Sequence, residues 1–111
     1  MSTRFLLTSD EGSRFFVNLV DAEGELLLIG GTYADRTEAE QAIKDIRVGT
    51  LMSNQIGASK TPKGETFFYI KNTAGQVIAK SQLFESAMLF DNALHKVKDN
   101  TCVAELSDLT Q

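Results

Sequence analysis

The sequence predicts an α+β fold made of one strand–strand–strand–helix–strand unit used twice. Three observations predict it. Residues 14–50 fall on residues 65–101 at a constant offset of 51 positions, without a gap. Paired positions keep their residue class: Leu19 meets Ile70, Leu26 meets Val77, Leu27 meets Ile78, Tyr33 meets Phe84, Ile43 meets Leu94 and Ile46 meets Val97. A turn glycine and a helix-spaced apolar stripe also recur at matching places in both copies.

The elements follow in order. A first strand over residues 4–8 is answered by one over 55–60. Each runs into a polar turn, Ser9-Asp10-Glu11-Gly12-Ser13 and then Thr61-Pro62-Lys63-Gly64, suited to a hairpin. These turns differ by a residue, so the offset is not expected to extend before Arg14. Second strands over 15–20 and 66–71 lead into Asp21-Ala22-Glu23-Gly24 and Asn72-Thr73-Ala74-Gly75. Glycine at the same place in both turns predicts a positive φ there. Third strands cover 25–29 and 76–80.

Each helix has a start, a stripe and a stop. Asp35 and Ser86 are N-caps whose side-chain oxygens suit an unpaired backbone N–H. Ala39, Ala42, Ile43 and Ile46 match Phe90, Ala93, Leu94 and Val97, at the i, i+3, i+4, i+7 spacing of one buried face. Gly49 and Asn100 stand where a left-handed C-terminal cap is expected. A last strand follows each helix, over 50–54 and 101–106. The link Ser53-Asn54-Gln55 is too short for a free linker, so residues 1–54 and 55–111 read as two units of one domain, 1–111.

Composition sets the function classes aside. The net charge is −4, with nine acids and five bases up to Leu51 and six of each beyond it. Neither half has the basic excess that replaces counterions on a nucleic-acid duplex. The longest apolar run, residues 26–29, is far too short to cross a bilayer. Asp10 and Glu11 arrive too early for the apolar region of a signal peptide, so cytoplasmic residence is the expectation. Cys102 is the only cysteine, which excludes an internal disulfide, and it reads as a small buried hydrophobe.

The second copy carries a pattern: Phe67-Phe68-Tyr69-Ile70, Gly75, Val77-Ile78-Ala79-Lys80-Ser81, Phe84, and Asn92-Ala93-Leu94 through Val97. It resembles the YegP-like family of small bacterial proteins, whose members hold one or two units of this length. The run Leu106-Ser107-Asp108-Leu109-Thr110 resembles the ending of the two-copy members. The first copy departs from the pattern, with Gly30 in the place of Ser81. Ala42 and Ala93 occupy a helix position that is often Gly, and Glu23 or Ala74 precedes the turn glycine where Asn is usual. The resemblance spans nearly the whole chain and has no catalytic signature. It implies one antiparallel sheet with both helices on one face and final strands exchanged between units across a pseudo-twofold. It implies no activity.

Chemistry is sparse. Gly30-Gly31 has no Lys-Ser/Thr and no third spaced glycine, so it reads as a bend or bulge and not as a phosphate loop. His95 is the sole histidine, lies off the apolar stripe and reads as exposed, with Asp91 four residues before it. Glu38, Glu40 and Asp45 make the first helix acidic, and Glu40 is spaced to pair with Lys44. No catalytic residue, cofactor ligand or metal ligand is assigned.

The sheet offers the one candidate site. Alternation separates Val17, Leu19, Phe68 and Ile70 from Phe16, Phe67 and Tyr69. The resemblance places the first set under the helices, which leaves Phe16, Phe67 and Tyr69 as an interaction patch on the helix-free face. The leading reading is a noncatalytic interaction module, a monomer whose patch takes a protein partner, a second copy or a flat ligand. A small-molecule binder or minor enzyme at the seam between units, near Tyr33 and Phe84, is the alternative. Single-stranded nucleic acid stacked on the open sheet, with Lys71 and Lys80 for charge, is the third.

Overall fold

The computed structural model describes residues 3–12 and 14–110, without the side chain of Ser53. Ser13 of the first turn and the Met1-Ser2 start lie outside the described residues. The order is β1 (Arg4–Ser9), β2 (Phe15–Val20), β3 (Leu26–Tyr33), α1 (Arg36–Leu51), a 3-10 turn (Ser53–Gln55), β4 (Ile56–Lys60), β5 (Thr66–Lys71), β6 (Val77–Lys80), α2 (Ala87–Asn100), a second 3-10 turn (Thr101–Val103) and β7 (Glu105–Asp108).

The seven strands form one sheet in the order β4-β5-β6-β3-β2-β1-β7. All neighbours are antiparallel except β1 and β7, which run parallel. The fold is α+β, as the sequence predicts. Alternation decides the buried face: Phe5, Leu7, Val17, Leu19, Phe68 and Ile70 are at most 1% exposed and share one core with Ala39, Ile43 and Ile46 of α1 and Val97 of α2. Both helices therefore cover the same face.

The local signals hold at most places. Gly24 and Gly75 have φ of 85° and 84°, the left-handed geometry that glycine adopts without steric cost. Asp35 accepts a hydrogen bond from the Glu38 N–H, and Ser86 from the Leu89 N–H. Gly30 and Gly31 form a bulge, two residues of β3 opposite Val17. Further bulges put Leu27 and Ile78 out of register, 51 positions apart, so each turns inward beside the next residue.

Several expectations are corrected. The offset does extend before Arg14: Ser9 pairs with Phe15 and Lys60 with Thr66, so both hairpin loops hold five residues and only the glycine moves. Gly49 is no C-cap. It lies inside α1, where a Cβ would come within 2.5 Å of Ile70 Cγ2, so it is the place where the helix rests on the sheet. Asn100 has φ of −117° and the chain turns on as a 3-10 turn, not through a left-handed residue. Residues 50–54 hold no strand, and the last strand begins at Glu105 instead of Thr101.

The expected exchange of final strands occurs in one direction only. β7 crosses to lie parallel on β1, pairing Phe5 with Leu106 and Leu7 with Asp108. The reciprocal strand beside β4 has no room to form. A parallel neighbour needs a crossover of roughly a dozen residues. Between the end of α1 at Leu51 and the start of β4 at Ile56 there are four. The chain after α1 becomes β4 itself.

Candidate functional site

Phe67 and Tyr69 flank Phe68, which is 0% exposed in the core, so they lie on the helix-free face. Their ring centroids are 6.2 Å apart. Tyr69 pairs with Gly57 on β4, and its ring lies over that residue, where a Cβ would meet it at 2.4 Å. The glycine thus gives the ring a flat bed, which holds it half-buried. Phe16 is half-buried on the same face, but β6 and β3 stand between β5 and β2. At about 4.8 Å per strand and about 3.4 Å per residue, Phe16 is roughly 16 Å from Tyr69 and farther from Phe67. The three predicted aromatics share a face without forming one cluster.

Of the residues between them, only Lys80 was singled out from sequence, and only for its charge. A single row of cross-strand partners runs Gly57–Tyr69–Lys80–Ile29–Asn18–Leu6–Ser107 across all seven strands. At its centre Ile29 pairs with Lys80, and these positions are 51 apart. Ile29 is 45% exposed and the neighbouring Val77 47%. A shallow cleft of about 300 Å³ opens over this centre, lined by Ile29, Gly30, Gly31, Val77, Ile78 and Lys80 among others. The signal was available in part: alternation along the apolar run 26–29 sends one of Leu28 and Ile29 outward, and the structure buries Leu28.

A second cleft, of about 370 Å³, lies at the seam between α2 and the start of β3, lined by Leu26, Leu27, Leu83, Phe84, Leu89 and Lys96 among others. Phe84 lines it, whereas Tyr33 does not. Tyr33 accepts a hydrogen bond from the Gly31 N–H at 3.2 Å. Burial pushes its phenol pKa up and the Asp45 carboxylate adds to the shift, against that hydrogen bond. Lys96 donates to Asp21 at 3.2 Å, which ties α2 to the β2–β3 turn.

The other side chains weighed from sequence lie apart. His95 and Asp91 are exposed on α2, with no hydrogen bond between them among the described residues. Glu40 and Lys44 do not pair: the ion pairs among the described residues are Arg14–Asp10, Arg36–Asp108 and Lys96–Asp21. Cys102 is exposed, contrary to expectation, because it falls in the 3-10 turn and not in a strand. Lys80 is exposed and Lys71 half-buried. Among the described residues, no three His, Cys, Asp or Glu side chains are grouped to hold a metal ion, and no helix is long and apolar enough to cross a membrane.

The chain is similar to known bacterial proteins over almost its full length. Residues 63–108 match the family model described as "Domain of unknown function (DUF1508)". UPF0339 protein PA0329 of Pseudomonas aeruginosa is 30% identical over 108 residues, 97% of this chain and 98% of that one. Solution NMR structures give the fold. UPF0339 protein SO3888 of Shewanella oneidensis superposes with a TM-score of 0.91 at 23% identity, covering 99% of this chain and 93% of that one. The yegP protein of E. coli, described as of unknown function, does so with 0.89 at 24%, covering 99% and 95%. A shared sheet with shared helices, over a matched length and with recurring residues, makes this chain a member of the UPF0339 (YegP) family, for which no activity is established.

Proposed function

We propose that the protein is a noncatalytic interaction module that binds a protein partner on the helix-free face of its sheet. The carrying observation is the seven-residue row with Ile29 exposed at its centre, flanked by Phe67 and Tyr69 on one side and Phe16 on the other. Exposed apolar groups on a preformed sheet give a partner contact area without loop ordering. Lys80 and Lys71 at the same face favour a partner with acidic groups at its rim. The reading includes one unit used twice, 1–54 and 55–111, in a cytoplasmic monomer. Equal register in the two hairpins and the Ile29–Lys80 pair support that duplication.

The test is the Phe67→Ser/Tyr69→Ser double variant, with Ile29→Ser beside it. Both face solvent in part, so circular dichroism should match the wild type. Affinity capture should lose its specific partners in both variants. Unchanged partners and unchanged oligomer size by light scattering would set the proposal aside.

A second reading rests on the seam cleft, lined by Leu26, Phe84 and Leu89 with Glu25 and Lys96 at its margin: a small, partly apolar molecule bound between the halves. A metabolite thermal-shift screen, with the exposed cleft residue varied as Leu89→Ser for the control, decides it; no stabilising hit removes it.

A further inference from the structure

We propose that the free edge of β4 is a docking groove for an acidic, extended segment of a partner protein, laid parallel to β4 as β7 is laid on β1. The precedent is inside the molecule. β7, Glu105-Leu106-Ser107-Asp108, is an acidic strand on the outer edge of β1, with Leu106 beside Ile43 of α1 and near Glu40, Lys44 and Arg47. Fifty-one positions on, β4 holds the place of β1, and α2 the place of α1. Yet β4 is the end strand of the sheet. Its outer backbone groups are the kind of edge that extended peptides extend by pairing.

Burial records the missing strand. Phe5 is 0% exposed, Ala39 0% and Ile43 5%, whereas their counterparts Ile56, Phe90 and Leu94 are all half-buried. The second half carries the same apolar stripe with less cover. The charge pattern also repeats. Asp91, His95 and Lys98 on α2 stand where Glu40, Lys44 and Arg47 stand on α1, and all three are exposed. Lys60, exposed at the end of β4, adds a cation where the first half has Ser9. This groove therefore favours the acidic, singly apolar segment that the first groove already holds. Arg36 has Ala87 as its counterpart, so the Arg36–Asp108 clamp on β7 has no equivalent and the second groove is suited to reversible binding.

The probe is a capped peptide with the sequence of residues 105–110, titrated to about 1 mM, the weak limit of useful affinity, into the full 15N-labelled chain. We expect saturable shifts at Ile56–Lys60 and at Leu94, His95 and Lys98. Leu94→Asp should weaken binding about tenfold or more. A peptide with Glu105→Lys and Asp108→Lys should bind the wild type more weakly and the Lys98→Glu protein more tightly than the parent peptide does. Three outcomes overturn the proposal: no shifts, shifts confined to β1 and β7, or equal binding of the charge-reversed peptide. Exchange protection of β4 that grows with protein concentration in the absence of peptide would overturn it too, in favour of a second copy of the chain.

Discussion

Asp21 and Asn72 hold the same turn with different chemistry. Each accepts two backbone N–H groups, from Glu23 and Glu25 in one case and from Ala74 and Gln76 in the other. Only Asp21, 3% exposed, also accepts from Lys96. Burial pushes its carboxyl pKa up, but the Glu25 N–H, the Lys96 ammonium and the Glu23 N–H together hold it below the ordinary 3.8. A depressed folded-state pKa contributes stability above that ordinary value and loses it as pH falls through the folded one. Asp21→Asn keeps the oxygen that accepts both N–H groups and should cost about 1 kcal/mol at neutral pH, since Lys96 is half exposed. The cost should shrink as pH drops below about 4. Asp21→Ala removes the acceptor of two partly buried N–H groups as well as the charge and should cost more than the Asn variant, about 2 kcal/mol. Urea unfolding of both variants at pH 7 and pH 3 checks the pair; an Asn penalty that stays constant with pH would locate the effect outside the charge. The turn was legible from Asp21, Gly24, Asn72 and Gly75, since its determinants are local. The Lys96 partner was not, because it lies 75 positions away.

At the scale of the element, Gly49 separates propensity from packing. Alanine would raise the helix propensity of α1 by about 1 kcal/mol. Its Cβ, 2.5 Å from Ile70 Cγ2 and 3.2 Å from the Lys71 carbonyl, would push the helix off the sheet, and overpacking costs about 1–3 kcal/mol. Packing should win, so Gly49→Ala is expected to lower the thermal midpoint in a calorimetric scan despite a better helix. A raised midpoint would mean that α1 moves freely over β5. The same glycine explains a misread boundary. The sequence reading assigned Gly49 to a cap, which has a local signature, whereas its close approach to Ile70 depends on a partner 21 positions away. N-caps were read correctly at Asp35 and Ser86, because the acceptor and the N–H it meets are three residues apart. The bulge at Gly30-Gly31 was legible for the same reason.

For the whole molecule, β7 is what joins the last residues to the first strand. Arg36 at the start of α1 grips both Asp108 and Thr110, and Leu109 donates to the Leu7 carbonyl at 2.8 Å. Arg47 stacks over the Phe5 ring at 4.9 Å and donates to the carbonyls of Thr101 and Cys102. The Arg36 and Thr110 hydrogen bonds hold the Asp108 carboxyl down at about 2. Its contribution is therefore complete above the ordinary carboxylate value and fades as pH falls toward 2. Amide spectra between pH 5 and 2 should show the β7 resonances leaving their folded positions before those of β2 and β5. Arg36→Ala should bring that loss to neutral pH, seen as faster exchange at the Leu109 N–H. Simultaneous loss of all strands would make β7 part of the central cooperative unit instead of a separable edge.

The sequence by itself determined both helices with their N-caps and apolar stripes, the first six strands in their order, the inward sets of β2 and β5, and the positive φ of Gly24 and Gly75. All of these follow from residues within a few positions of one another. Tertiary structure alone decided where β7 docks, that β4 keeps a free edge, and which residues fill the gap between Tyr69 and Phe16. It also placed Cys102 at the surface and Gly49 against the sheet. Those outcomes depend on chain crossover lengths and on partners 50 or more positions apart, such as Ile29 with Lys80 and Arg36 with Asp108. Local pattern reports which side of an element wants to be dry; only closure of the sheet decides what dries it.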